Sequence, residues 1–220
     1  MRFPRSHPFA FALIVSMGAC GPSSDSEPEA SSESVPEAGM SAAEASVDIA
    51  CWLRGETTEA EAMERQSPLG QADIELGGHV GRICYGRPSA RGRVVEGGLI
   101  PFGEPWRIGA NEATALHLPF PARVGGIDLE AGSYSLYAVA GEFEWEFFLN
   151  SNAERWGIPI DDGVISQNVG SFTGLPRTLT EPVEQFTINW QTQGGDNGHM
   201  VLEWGTTRIE IEVRLREHNH

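Results

Sequence analysis

Hydrophobic and polar residues alternate along most of the chain after residue 66, and this period of two is typical of β-strands. In the clearest run, Ile209, Ile211 and Val213 lie on one face, and the charged side chains of 208–216 lie on the other. Shorter runs of the same period, separated by glycine-rich turns, lie at 74–85, 114–118, 132–149 and 186–204. Strands with one solvent-exposed face and one buried face are typical of antiparallel sheets. The pattern predicts roughly seven to nine strands over residues 67–216 in an all-β single domain, an antiparallel β-sandwich or jelly-roll-like fold.

Two other patterns precede the strands. Residues 57–65 combine threonine caps with acidic residues in the first turn, which predicts a short N-terminal helix within a lead-in of residues 51–66. Residues 21–50 consist of Ser, Glu, Pro and Ala with almost no large apolar side chain. Such a segment cannot bury enough surface to offset its ordering entropy, so we expect residues 20–50 to be a disordered linker.

Residues 1–19 have the composition of a secretory signal peptide, with two Arg and no acid before an apolar run that is too short to cross a bilayer. The ending Met17-Gly18-Ala19-Cys20 resembles a bacterial lipobox, which implies lipidation of Cys20; an ordinary cleavage site is the alternative. Gly21 replaces the Asp that often marks inner-membrane retention in such lipoproteins. We therefore expect an extracytoplasmic protein anchored to the membrane by its N-terminal lipid, with the outer membrane or cell surface favoured.

The remaining cysteines, Cys51 and Cys84, would lie in an oxidising compartment, which predicts a disulfide between them. Two unpaired cysteines are the alternative. Neither cysteine has another Cys or His at metal-ligand spacing, and His79, His117 and His199 are too far apart in sequence for a zinc motif. The sequence predicts no metal site and no cofactor.

Charge and composition exclude several function classes. The chain carries 31 acidic and 15 basic residues, for a formal charge of −16, and every basic residue is Arg. Without Lys there is no Schiff-base chemistry and no P-loop. Without a basic stripe, the sequence predicts no nucleic-acid partner and disfavours binding to anionic membrane surfaces. No G-x-S-x-G nucleophile motif is present, so the sequence favours a non-enzymatic role and leaves an enzyme open.

Several segments carry a family resemblance. They are CYGRPSARGR at 84–93, GLIPFG at 98–103, WRIGANEAT at 106–114, AGSYSLY at 131–137 and LEW at 202–204. Together they resemble the bacterial family named domain of unknown function 2911 (DUF2911) over residues 67–213, although Ile108 stands where Thr is common. The resemblance implies a secreted or lipid-anchored β-rich domain and brings no settled activity, substrate or catalytic residue.

A dense polar run is the candidate ligand-binding site. Its members are Arg87, Arg91, Arg93, Trp106, Arg107, Asn111 and Glu112. Guanidinium groups bind carboxylates and phosphates in a bidentate manner. Glu112 and Arg107 are the candidate catalytic residues, Glu112 as general acid or base and Arg107 as the anion holder. In the structural alternative, Glu112 pairs with Arg107 or Arg87 and fixes a glycine-rich loop.

A second carboxylate group lies at Glu142, Glu144 and Glu146, which share one face of a predicted strand. Two carboxylates about 5–5.5 Å apart form the catalytic pair of a retaining glycosidase. A solvated acidic face is the alternative.

Three functional hypotheses follow from the sequence. The first is a β-sandwich binding or scaffold module of the cell envelope, with an unknown small-molecule, glycan or protein ligand. The second is a hydrolase of envelope glycans or related polymers that uses the Arg/Asn/Glu site. The third treats the polar run as a purely structural clamp.

Overall fold

The computed structural model of the protein describes residues 49–216. The predicted signal peptide, Cys20 and the linker up to residue 48 lie outside this range. The helices are α1 (Glu59–Met63) and α2 (Asp162–Ile165), and the strands are β1 (Leu69–Leu76), β2 (His79–Gly86), β3 (Pro105–Trp106), β4 (Thr114–Leu118), β5 (Ala122–Val124), β6 (Ile127–Leu129), β7 (Gly132–Ala140), β8 (Trp145–Asn150), β9 (Asn168–Gly174), β10 (Arg177–Gly194) and β11 (Asn197–Leu215). Between residues 49 and 216, no helix is long and apolar enough to cross a membrane.

The strands form two sheets. The larger sheet has seven strands in the order β1-β2-β4-β7-β8-β9, with β3 paired to β7, and the smaller has the order β10-β11-β5-β6. The named strands pair antiparallel throughout. This confirms the predicted all-β antiparallel fold. The described residues contain more strands than predicted because β3, β5 and β6 are only two or three residues long.

The core lies between the two sheets. Leu116 and Phe147 of the larger sheet and Phe186 and Ile211 of the smaller sheet belong to one buried cluster. Along β11, isoleucine and valine side chains are buried while the alternate Arg and Glu side chains remain accessible. The hydrophobic alternation in the sequence therefore corresponds to the two faces of a half-buried strand.

The lead-in covers the outer face of the larger sheet. Cys84 lies between core-facing Ile83 and Tyr85 in β2, so its side chain points away from the core, and there it forms a disulfide with Cys51. The predicted disulfide is confirmed. The predicted helix at 57–65 is real but shorter, because the Thr58 hydroxyl accepts a hydrogen bond from the Glu61 backbone and so sets the start of α1.

A second segment, residues 151–167, also lies on this outer face. Ser135 and Asn150 are fully buried, and their side chains donate to the backbone oxygens of Asn152 and Val164. These bonds satisfy polar groups that would otherwise be buried without partners. The two covering segments continue to the end of the sheet where β2 and β7 end, and the candidate site lies at this end.

Candidate functional site

A cavity of about 400 Å³ opens beside the ends of β2 and β3. Its lining residues come from the lead-in, the loop after β2, the segment 105–110, residue 158 and β11. They are Gln66, Ser67, Pro88, Ser89, Arg91, Arg93, Leu99, Pro105, Trp106, Arg107, Gly109, Ala110, Ile158 and Trp204. Three of the four predicted arginines and the predicted Trp106 therefore meet at one concave surface, and no lining residue is a carboxylate.

The guanidinium of Arg93 is held by backbone carbonyls. Its Nε donates to Ala90 O at 2.9 Å and its Nη2 donates to Ser89 O at 2.9 Å. Carbonyl oxygens fix the orientation of the group without cancelling its charge, and Arg93 has no salt bridge within residues 49–216. The positive charge is therefore positioned and uncompensated.

Arg107 is arranged in the same way but is more deeply placed. Its Nε donates to Gly109 O at 3.3 Å, and its aliphatic stem lies against Gly157, where an added Cβ would lie 2.4 Å from Arg107 Cδ. Burial lowers the pKa of Arg107 from its ordinary value, yet an arginine remains protonated in proteins. In the part of the chain that the structure describes, no acid forms an ion pair with it.

Arg91 lies at the tip of the loop after β2. Its backbone adopts a left-handed conformation with φ of 52°, and Gly92 follows with φ of 71°. The Arg91 backbone N–H donates to Glu184 Oε1 at 2.7 Å, which ties the loop to β10. Its exposed side chain has no ion-pair partner among residues 49–216. Arg91 is thus the adaptable cation of the three.

Two indoles form the wall of the cavity. Trp106 and Trp204 are only 8% and 4% exposed, and their rings stack on one another with centroids 6.0 Å apart. Trp145 and Phe186 meet Trp106 edge-on. Trp106 therefore lines the cavity as predicted, but it is almost fully buried among other aromatic rings. A sugar cannot stack on it without rearrangement of the core.

Glu112 does not line this cavity. Arg65 Nη1 donates to both Glu112 carboxylate oxygens, at 2.8 and 3.1 Å, and the Arg54 backbone N–H donates to Oε1 at 3.1 Å. The Glu112 side chain is 12% exposed. The structural alternative named the wrong partner. Glu112 pairs with Arg65 and not with Arg107 or Arg87, because the lead-in crosses the outer face of the sheet and places Arg65 beside the carboxylate.

The other two members of the predicted run also lie outside the lining. Asn111 has a left-handed backbone with φ of 63° and donates from Nδ2 to Ser67 O at 3.0 Å, so it fixes the lead-in. Arg87 packs its stem against Gly70, and its Nε is buried without a hydrogen-bond partner. The run thus divides into a cavity group, which is Arg91, Arg93, Trp106 and Arg107, and a group beside the lead-in.

The second carboxylate group, Glu142, Glu144 and Glu146, does not lie on one strand. The Gly141 N–H donates to Glu144 O, so Glu142 and Glu144 lie in the turn between β7 and β8, and only Glu146 lies on β8. The prediction that the three carboxylates share one strand face is therefore wrong, although Glu144 and Glu146 both line a small cavity at this turn. No cluster of three or more potential metal ligands occurs within residues 49–216.

The burial of His117 predicts that the stability of the domain depends on pH. Its Nδ1 lies 2.8 Å from Ser133 Oγ, and its Nε2 is buried without a partner. Desolvation lowers the pKa of His117 from its ordinary value; Glu154 raises it and Arg82 lowers it to a smaller extent. The folded state therefore holds a neutral imidazole, whereas the unfolded state takes up a proton as the pH falls through about 6.5.

We expect the free energy of unfolding to decrease between about pH 7 and about pH 5, because the unfolded state binds the additional proton. His117→Gln should reduce this decrease, and His79→Gln, at an exposed position, should not. Urea midpoints at the two pH values measure the effect. An equal pH dependence in wild type and His117→Gln would contradict the assignment.

Part of the cavity gave no signal in the sequence. Leu99, Pro105 and Ile158 supply its apolar side, and none of them is distinguishable by residue type from an ordinary loop or core residue. Leu99 and Trp204 belong to family segments, yet nothing in their spacing places them beside Trp106. These residues meet only because β11 and the segment 151–167 converge on the same end of the larger sheet.

The comparisons with known proteins agree with the resemblance in the sequence. The family model described as a protein of unknown function, DUF2911, matches residues 67–213. No curated protein and no solved structure matches the chain. The matched range holds most of the β-sandwich and every lining residue of the cavity except Gln66. Because the match covers more than half of the sequence, the chain belongs to the DUF2911 family.

Proposed function

We propose that the protein is an extracytoplasmic binding module that takes an anionic ligand in the cavity lined by Arg91, Arg93 and Arg107. The observation that carries the proposal is the charge of this lining. In a chain of net charge −16, three arginines and no carboxylate surround one cavity. Arginines without acidic partners around a concave site are the usual means of binding carboxylate and phosphate groups.

The electrostatic energy supports a ligand. Three like charges around one cavity repel one another, and solvent screens this repulsion in part because Arg91 and Arg93 are exposed. The Glu184 carboxylate accepts from the Arg91 backbone, but within residues 49–216 it forms no ion pair with the three guanidinium groups and does not line the cavity. An arrangement that costs stability in the empty protein is typical of a functional site.

The chemistry of the lining favours binding over catalysis. None of the lining residues is an acid, a histidine or a cysteine, so the cavity offers no general acid–base group and no activated thiol. Glu112, the candidate catalytic residue, is held by Arg65 and the Arg54 backbone. We therefore favour the binding module over the glycan hydrolase.

The expected location is consistent with this role. Residues 1–19 read as a signal peptide and Cys20 as a lipidation site, and the Cys51–Cys84 disulfide is typical of an oxidising compartment. A lipid at Cys20 followed by a linker would anchor the module to the outer membrane or cell surface. The ligand would then be met in the periplasm or outside the cell.

We expect millimolar phosphate or citrate to raise the melting temperature of the purified protein at constant ionic strength. A ligand at about 100 times its Kd stabilises a folded protein by about 2.7 kcal/mol. Thermal unfolding of wild type, Arg107→Gln and Arg177→Gln measures the effect. Arg177 is a matched control, since its side chain is 73% exposed and does not line the cavity.

The control separates binding from the general stabilising action of these salts. The shift should be lost in Arg107→Gln and kept in Arg177→Gln. An equal shift in all three proteins, or no shift in any, would refute the proposal.

A further inference from the structure

We infer that the ligand of the arginine-lined cavity is a soluble phosphate monoester with an apolar body. This inference rests on the proposed anion-binding function and specifies the class of anion. Its two parts, the charged head and the apolar body, follow from different sides of the cavity.

The number and placement of the arginines indicate that the charged group of the ligand is a phosphate. Arg91 and Arg93 lie on the loop after β2, and Arg107 follows β3, so the guanidiniums belong to two chain segments. A carboxylate carries one charge and two oxygens in a single plane. A phosphate monoester carries nearly two negative charges above its second pKa of about 6, and its three terminal oxygens accept hydrogen bonds in different directions. The phosphate therefore matches more of the cationic lining.

The free donors support the same choice. The Nε atoms of Arg93 and Arg107 are engaged by backbone carbonyls, while Nη1 of Arg93 and both Nη atoms of Arg107 have no partner in residues 49–216. Fixing Nε leaves the outer edges of the guanidinium groups for a ligand in a set orientation. Gln66, Ser67 and Ser89 also line the cavity and bring polar groups that suit the remaining phosphate oxygens.

The volume of the cavity and its apolar wall indicate that the ligand also has an apolar part. About 400 Å³ is within the range of small-molecule sites and is far larger than an inorganic anion requires. Leu99, Pro105 and Ile158 line it together with the edges of the two indoles. Because both indoles are almost fully buried, this wall offers apolar contact and no stacking platform for a sugar.

A soluble source is favoured over a lipid headgroup. The chain has a net charge of −16, so anionic lipid headgroups repel it even where a lipid at Cys20 would hold it near a bilayer. A small phosphate monoester in solution reaches a local cationic cavity with a much smaller repulsion. Titration of the protein with phosphatidic acid vesicles tests this point directly.

The experiment is isothermal titration of the Cys20→Ala chain, which cannot carry a lipid, at about pH 8 and constant ionic strength. The probes are phenyl phosphate, benzoate and inorganic phosphate. We expect phenyl phosphate to bind at least about tenfold more tightly than either other anion, since only it combines a dianionic head with an apolar body. Its affinity should fall at about pH 5, where the head loses most of its second charge.

The variants locate the binding. Arg107→Gln and Arg91→Gln should each weaken phenyl phosphate about tenfold or more, whereas Arg177→Gln should leave it unchanged. Arg91 is included because its side chain is exposed and forms no hydrogen bond or ion pair with residues 49–216, so this variant tests the site even if Arg107→Gln is unstable. Unfolding curves confirm that each variant is folded.

The outcomes separate the inference from the proposed function. Benzoate binding as tightly as phenyl phosphate, with the same arginine dependence, would overturn the phosphate inference and leave an anion-binding module. Binding only to phosphatidic acid vesicles would overturn the soluble source. Absence of binding by all three anions and by the vesicles would overturn both.

Discussion

The double variant Cys51→Ala/Cys84→Ala is expected to lose about 3.7 kcal/mol of its free energy of unfolding, the chain-entropy value for a loop of 33 residues. The disulfide links the lead-in to β2 on the outer face of the larger sheet, so without it the unfolded chain gains freedom. The folded chain also loses a buried contact, since Cys84 is 5% exposed. Urea unfolding monitored by tryptophan fluorescence measures the change.

The matched control is Cys20→Ala, which removes the remaining cysteine and keeps the disulfide. Its urea midpoint should equal that of the wild type. The wild type under reducing conditions should approach the double variant. A loss below about 1 kcal/mol in the double variant would mean that the ion pair and hydrogen bonds of the lead-in hold it in place without the disulfide.

The strands were predictable because each has one face in the core. In β11 the alternation of Ile and Val with Arg and Glu follows directly from that placement. What the pattern missed is that residues 201–204 and 208–215 form one strand. Gly205 interrupts the alternation, adopts φ of 57° and lies at a register irregularity opposite Val183. A bulge keeps the chain within the sheet while breaking its period.

The site was predictable only as far as its residues are close in sequence. Arg91, Arg93, Trp106 and Arg107 lie within one stretch, and the fold keeps them together around the cavity. Glu112 lies in the same stretch, yet its partner Arg65 comes from 47 residues earlier. Which arginine pairs with Glu112 depends on the path of the lead-in across the sheet, and the Cys51–Cys84 disulfide helps to fix that path. No local pattern contains that information.

Glu112→Gln is therefore expected to lose about 2–3 kcal/mol of the free energy of unfolding. The glutamine keeps one acceptor oxygen, but its NH₂ group faces a guanidinium that can only donate. With the Glu112 side chain 12% exposed and that of Arg65 24% exposed, water compensates only part of the lost bond. Asp128→Asn, which disrupts the exposed pair of Asp128 with Arg123, should cause no measurable change.

A double-mutant cycle assigns the loss to the pair and separates this role from ligand binding. Arg65→Met should lose a similar amount, and the double variant should lose less than the sum, because the two side chains share one interaction. Since Glu112 lies outside the lining of the cavity, folded Glu112→Gln should bind phenyl phosphate as the wild type does. Unchanged stability together with lost binding would contradict the structural role and return Glu112 to the ligand site. Lost stability with intact binding would show that one polar run serves two purposes, a clamp for the lead-in and a cationic cavity beside it.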